Sequence, residues 1–239
     1  MKFLKDIAIL FFDIIDKYIH QKKILKHLLK NSKNIGVFFD IGSHKGTYTD
    51  LVIENFKVKK VIMIEPQKSI YKFLKEKYKK KKKIKIYNLA ISDKKKIMTM
   101  YINKHDLTSS LTQIDKKNRY LNFKARLFGG TINELIQKKN MVNSCKLSDI
   151  IKNNKVNKID LLKIDTEGHE LQVLKGTGSL LKKKVKYMLI EIHNSDIFLN
   201  YDSNKIHNYL TKNKFILMKK FKFPFTTWED RVYKNGNLN

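Results

Sequence analysis

The sequence predicts an α/β fold: a doubly wound, mostly parallel sheet, preceded by an N-terminal amphipathic helix. Three observations point there. Short apolar runs alternate with stretches of helical period, which is the rhythm of strand–helix–strand crossover units. The apolar runs are nearly continuous, as in strands covered by helices on both faces. Four strand ends carry an acidic residue, Asp40, Glu65, Asp165 and Glu191. Ligands of open α/β sheets bind outside the carboxyl ends of the strands.

The elements follow in order. Residues 1–32 form a helical segment, because Leu4, Ile7, Leu10, Phe11, Ile14, Ile15 and Tyr18 recur at helical spacing. Its longest uncharged run, Ile7 to Phe12, is far short of the ~20 residues of a membrane span. No small-residue cleavage site follows, so a signal peptide is not expected. The segment reads as a helix packed on the domain, with membrane-surface binding as the lesser alternative. Residues 33–239 form the main domain. Gly36 to Ile41 is its first strand, Thr47 to Phe56 a helix, and Lys60 to Glu65 a second strand closed by Pro66. Ser69 to Tyr78 is a helix, Ile84 to Leu89 a third strand, and Lys96 to Ile102 a further one. Residues 103–144 break the rhythm and read as a rim insertion of loops and weak elements. Ile159 to Ile164 is an apolar strand interrupted only by Asp160 and Lys163. A helix from His169, a strand from Tyr187 to Ile192 and a helix from Ser203 to Asn213 follow. Phe215 to Met218 and Arg231 to Tyr233 form a terminal strand pair.

Composition removes several classes. Aromatic residues make up 11% of the chain and apolar residues recur throughout, so the chain buries a core rather than staying disordered. One cysteine, Cys145, excludes an intrachain disulfide framework and a cysteine-based zinc cluster, and suits a reducing cytoplasm. The net charge of +29 invites a nucleic-acid reading, but only Arg119, Arg126 and Arg231 are arginines among 51 basic residues. Bidentate contacts to guanine and phosphate rely on Arg. The dispersed lysines read as a solvated surface, with at most a weak attraction to anionic substrates or membrane surfaces, and no specific nucleic-acid site is expected.

The strand ends carry the chemistry. Asp40-Ile41-Gly42-Ser43-His44-Lys45-Gly46 joins a strand to a helix, and its glycines let backbone approach a ligand. It is neither a Walker loop nor a G-x-G-x-x-G dinucleotide loop. Glu65 can accept hydrogen bonds from ribose hydroxyls. Ser92 and Asp93 follow the third strand, where Asp93 can meet an adenine amino group. Together these ends fit an adenosine cofactor better than any one alone.

Val37 to Thr49, with Asp40, Gly42, Ser43 and Gly46, resembles the cofactor loop of the FkbM-type methyltransferases, which use S-adenosyl-L-methionine. Ile64-Glu65-Pro66 is similar to that family's second strand end. Ala90-Ile91-Ser92-Asp93 and Ser109-Ser110-Leu111 resemble its middle region. The most particular block is Ile159 to Glu170, with Lys163-Ile164-Asp165-Thr166-Glu167-Gly168-His169-Glu170, continuing to Gly176. Leu189 to His193 closes the match. The resemblance implies a class I, Rossmann-like methyltransferase with a seven-stranded sheet and a reversed last strand. It implies cofactor contacts from Asp40, Gly42, Ser43, Gly46, Glu65, Pro66, Ser92 and Asp93.

Methyl transfer needs in-line positioning of a nucleophile, and a hydroxyl acceptor also needs a base. Asp165, Glu167 and His193 are the catalytic candidates, with His169 beside them. Along an extended stretch Asp165 and Glu167 point the same way and could hold the acceptor or a divalent cation; no residue is assigned to a metal. Glu170 reads as orienting the helix start. His20, His27 and His207 read as surface residues on helices, His105 has no visible partner, and His44 lies inside the cofactor loop. The expected acceptor is a hydroxyl of a sugar, polysaccharide precursor or related metabolite. An RNA methyltransferase and an inactive cofactor-binding scaffold are the alternatives.

Overall fold

The computed structural model describes residues 19–32, 34–103, 109–119, 121–122, 125, 131, 136–194, 196–224 and 226–238. The predicted helix face from Leu4 to Tyr18, His105 and Arg126 lie outside them.

The chain runs α1 (Gln21–Asn31), β1 (Val37–Ile41), α2 (Thr47–Asn55), β2 (Lys60–Ile64), α3 (Lys68–Lys77), β3 (Ile84–Tyr87), β4 (Ala90–Ile91), β5 (Ile97–Asn103) and β6 (Ile136–Cys145). It continues through α4 (Leu147–Asn153), β7 (Ile159–Ile164), α5 (Glu170–Thr177), α6 (Leu180–Lys184), β8 (Val185–His193), α7 (Ser203–Lys212), β9 (Phe215–Lys222) and β10 (Trp228–Asn235). Seven strands form one sheet in the order β3-β2-β1-β7-β8-β10-β9. Neighbours from β3 to β8 are parallel, and β10 alone runs antiparallel, to both β8 and β9. The chain therefore winds outward from β1 in one direction, then returns to start again at β7. The crevice between the carboxyl ends of β1 and β7 is the topological switch point.

Alternation along each strand sorts the core into two layers. Phe39, Ile41, Ile62, Ile64, Leu162 and Ile164 pack on the side of α4, α5 and α7. Phe38, Val61, Met63 and Leu161 face α1, α2 and α3, with Ile24, Leu28, Val52 and Leu74. Both layers are apolar, which is why β1, β2 and β7 read as nearly continuous apolar runs. The two polar interruptions of β7 have partners. Asp160 accepts hydrogen bonds from the Gly36 and Val37 amides at 2.9 Å and so pins the start of β1. Lys163 pairs with Asp165 at 2.8 Å.

Three expectations are corrected. The 103–144 insertion contains strand structure at its end: β6 is ten residues long, pairs antiparallel with β5 and joins β4 in parallel. Met141 is exposed while the inward positions of β6 include polar Asn140 and buried Ser144, so no hydrophobic period betrays the strand. The terminal hairpin is also longer than its apolar runs, because edge strand β9 carries exposed Lys219, Lys220 and Lys222. Finally, one helix histidine, His20, is not a surface residue, whereas His27 and His207 are half-buried. His20 is buried, hydrogen-bonded through Nε2 to Asp230 Oδ2 at 2.8 Å and edge-on to Phe223 and Trp228. His207 Nδ1 lies 3.1 Å from the Tyr233 hydroxyl, and His27 packs against Phe221.

His20 thus ties the start of α1 to β10. His20→Ala leaves the Asp230 carboxyl buried without that partner, and should cost about 1–3 kcal/mol in urea unfolding. An unchanged unfolding midpoint would show the contact to be neutral. Among the described residues, no helix is long and apolar enough to cross a membrane.

Candidate active site

The β1–α2 loop is built by its own backbone. The Gly42 and Ser43 amides donate to Ile64 O at 3.0 and 3.2 Å, and the Asp165 amide donates to Ile41 O at 3.0 Å. These bonds stitch the ends of β2, β1 and β7 side by side. Gly42 has φ +80°, and a Cβ there would lie 1.8 Å from the Asp165 carbonyl oxygen. Only glycine fits.

An open cavity with about 600 Å³ of empty space lies above these ends. Gly42, His44, Glu65, Pro66 and Gln67 form one side, and Asp165, Thr166 and Glu167 the other. Ile41, Leu89, Ala90, Ile91 and Met100 supply an apolar lining, closed by Ser109 and Leu111. Five of the predicted site residues therefore meet in one place: Gly42, Glu65, Pro66, Asp165 and Glu167.

The other predicted residues sit behind them. Asp40 is buried, and its Oδ2 accepts from Thr49 Oγ1 at 2.6 Å on the α2 side of the sheet. Its register partner on β7 is Lys163. Ser43 Oγ donates to Asp40 O at 2.7 Å and accepts from the Ile64 amide at 3.1 Å, clamping β1 to β2. Gly46 begins α2 under Tyr78, whose hydroxyl donates to Gly46 O at 2.9 Å. Ser92 is buried between His169 Nε2, at 3.1 Å, and Asp93 Oδ1, at 3.2 Å. At this strand end Ala90 and Ile91, rather than Ser92 and Asp93, face the cavity. Asp40, Ser43, Gly46, Ser92 and Asp93 are not among the residues lining the cavity.

Glu65 is the polar centre of the first side. Its Oε2 accepts from the His44 amide at 3.0 Å, and its Oε1 from the Gln67 amide at 2.8 Å. Each carboxylate oxygen keeps a second acceptor position. Burial pushes its pKa up to about 7, against the pull of those two amides.

The second side departs from an extended stretch. Glu167 has φ +53° and Gly168 φ +91°, so the chain turns sharply after Asp165. A Cβ on Gly168 would strike the Phe198 ring at 2.5 Å. Glu170 organises this turn: its Oε1 accepts from the Thr166 amide at 3.0 Å, the Thr166 hydroxyl at 2.9 Å and the Gly168 amide at 3.1 Å. The Ser110 hydroxyl donates to Glu167 O, and the Thr112 hydroxyl to Gly168 O at 2.9 Å. In this way residues 109–112 of the insertion are fastened over the site.

The turn sends the two carboxylates different ways. Asp165 Oδ2 meets Lys163 Nζ at 2.8 Å. Glu167 Oε2 lies 3.5 Å from His193 Nε2, and Glu191 Oε1 lies 3.2 Å from the same nitrogen. Burial, then the charge of Glu191, raises the carboxyl pKa of Glu167 well above the ordinary range; burial, then the charges of Asp165 and Asp230, does the same to Glu191. His169 is driven down to about 4 by burial, so it is neutral at pH 7. Sequence reading missed the cavity roles of Gln67, Leu89, Met100 and Thr166; they carry no charge pattern, and only their place beside a strand end reveals them.

A comparison with curated proteins finds no match. Among solved structures, the chain is similar to methyltransferase FkbM from Methylobacillus flagellatus KT, at 15% identity and a TM-score of 0.53, over 84% of this chain and 43% of that one. The chain thus spans less than half the length of that relative. It is also similar to a Pyrococcus horikoshii protein provisionally described as an RNA methyltransferase, at 11% identity and a TM-score of 0.47, over 90% of this chain and 82% of that one. TrmK of M. capricolum, in complex with S-adenosyl-homocysteine, is similar at 9% identity and a TM-score of 0.47, over 84% and 62%. Residues 40–217 match the model of the methyltransferase FkbM domain. That span runs from the end of β1 into β9 and holds every cavity-lining residue, so the chain belongs to the FkbM methyltransferase family and has the class I fold of S-adenosylmethionine-dependent methyltransferases.

Proposed function

We propose that this chain transfers a methyl group from S-adenosylmethionine to a hydroxyl of a small or glycan-type acceptor. The observation that carries the reading is one cavity, at the switch point, holding Glu65 on one wall and Asp165 and Glu167 on the other. The residues suit the cofactor. Glu65 has an acceptor position free on each oxygen for a ribose diol, and the apolar patch of Leu89, Ala90, Ile91 and Met100 suits an adenine. Gly42 leaves the backbone open beside them. Asp40, Ser43, Gly46, Ser92 and Asp93 are assigned to holding this wall in shape.

When bound, the cofactor supplies an electrophilic methyl on a sulfonium. That methyl would pass to the acceptor oxygen, with the carbon–sulfur pair kept by sulfur as a neutral thioether. This chain positions the acceptor oxygen and removes its proton. We assign the proton to Asp165, with Glu167 and His193 orienting the acceptor. The insertion residues Ser109 and Leu111 shield the site from water. A reducing cytoplasm suits the free Cys145. An RNA acceptor would draw on the net charge of +29, but the scarcity of Arg favours the smaller one.

The test is binding of S-adenosyl-homocysteine by calorimetry, followed by transfer of labelled methyl to candidate acceptors. Ribose hydroxyls donate to ionised Glu65, whose carboxyl titrates at about 7 when free of ligand. Affinity should be full above that value and fall below it, by about tenfold from pH 8 to pH 6. Glu65→Gln should flatten this profile. Tight binding of NAD in place of S-adenosyl-homocysteine would overturn the assignment.

A further inference from the structure

Behind the Asp165 wall, three potential ligands converge. Glu167, Glu191 and His193 each present one atom within 4.8 Å of the other two. They come from the β7–α5 turn and from β8, and Glu167 also lines the cavity. We propose that Glu167, Glu191 and His193 bind one divalent transition-metal cation, of the Mn²⁺, Fe²⁺ or Zn²⁺ type, at the edge of the methyl-transfer cavity.

A cluster of acids alone would not suggest this; the histidine does. His193 is 5% exposed, and neither ring nitrogen has a hydrogen-bond partner among the described residues. Its Nε2 is nevertheless 3.2 Å from Glu191 Oε1 and 3.5 Å from Glu167 Oε2. The atoms are close, but not in the directions a hydrogen bond requires. A buried imidazole without a partner costs about 1–3 kcal/mol.

The spacing matches coordination. With metal–ligand bonds of about 2.1 Å, neighbouring ligands lie about 3.0 Å apart around an octahedral ion and about 3.4 Å around a tetrahedral one. The two measured separations fall close to these values. The ring is held in this pose by edge contacts with Phe198, at 4.9 Å between centroids, and Tyr201, at 5.8 Å.

The charges agree as well. Two carboxylates face each other in a largely buried place. Among the described residues neither is paired with a Lys or Arg: Lys163 is engaged by Asp165, and Arg231 by Glu229. A divalent ion would neutralise both. Two carboxylates with one imidazole suit Mn²⁺, Fe²⁺ or Zn²⁺ better than Mg²⁺ or Ca²⁺, which favour all-oxygen sites.

The ion site stands on side-chain geometry, whereas its part in the reaction rests on the methyl-transfer reading. There the ion would take the acceptor oxygen as a further ligand and lower the pKa of its hydroxyl, easing release of the proton to Asp165.

The probe is Mn²⁺ alone, titrated into the full chain and followed by loss of the free-ion electron paramagnetic resonance signal. One ion per chain is expected, with affinity at least about tenfold weaker in Glu191→Gln and in His193→Ala. Glu167→Gln is a third arm should either variant fail to melt cooperatively. Absence of stoichiometric binding by the wild-type chain overturns the proposal, as does unchanged affinity in the folded variants. S-adenosyl-homocysteine is titrated separately. Its binding without Mn²⁺ binding removes the ion site and leaves the methyl-transfer reading; Mn²⁺ binding without it removes that reading and leaves the ion site.

Discussion

Gly42→Ala is expected to lower the affinity for S-adenosyl-homocysteine by about a hundredfold or more. Two costs act together. The residue stands at φ +80°, where a side chain costs about 1–2 kcal/mol. Its Cβ would also sit 1.8 Å from the Asp165 carbonyl oxygen, which is backbone and cannot swing aside. Relieving that contact parts the β1–α2 loop from the end of β7, at a further cost of about 1–3 kcal/mol. The loop amides of Gly42 and Ser43 are bonded to Ile64, so the disturbance reaches the Glu65 wall. The stability lost should lower the melting temperature by about 5–15 °C. Calorimetry of the folded variant below its transition separates lost binding from lost fold. Wild-type affinity in that variant would show that the cofactor does not lie against this loop.

Asp165→Asn is expected to slow methyl transfer by about 10²–10⁴-fold, the range of a general base. The substitution keeps the size of the side chain and an oxygen able to accept from Lys163. It removes the ability to take a proton. Loss of the charge partner of Lys163, which is 7% exposed, should cost about 1–3 kcal/mol, so the protein should still fold. Burial alone would lower the Lys163 pKa, yet the neighbouring Asp165 and Asp40 raise it, keeping the ammonium charged. Affinity for S-adenosyl-homocysteine should fall less than the rate. Single-turnover transfer at saturating cofactor, once an acceptor is found, makes the comparison. His193→Ala should be milder. A wild-type rate in Asp165→Asn together with an inactive His193→Ala would move the base role to His193.

Much of the frame was legible along the chain. The nearly continuous apolar runs of β1, β2 and β7 announced a sheet covered on both faces, and the acids at their ends announced the crevice. Gly42 and the block from Lys163 to Glu170 marked the loop and the turn, and the family match over residues 40–217 agrees with that reading. These features are local: a strand buried on both faces and a glycine in a left-handed turn leave marks at fixed short spacing.

Other features depended on which parts of the chain meet. Strand β6 carries polar Asn140 and Ser144 at its inward positions, so its pairing with β5 left no hydrophobic period. His20 lies on a helix with an ordinary amphipathic pattern, and only the return of β10, 210 residues later, makes it a buried partner of Asp230. Asp165 and Glu167 looked alike in sequence, two positions apart. The left-handed backbone at Glu167 turns one toward Lys163 and the other toward Glu191 and His193. The sequence by itself determined the sheet, the switch point and the glycine loop, because each follows from local side-chain period and backbone freedom. The tertiary structure alone decided which acids face the cavity and which charges meet, because those distances are set by crossovers and turns joining residues far apart in the chain.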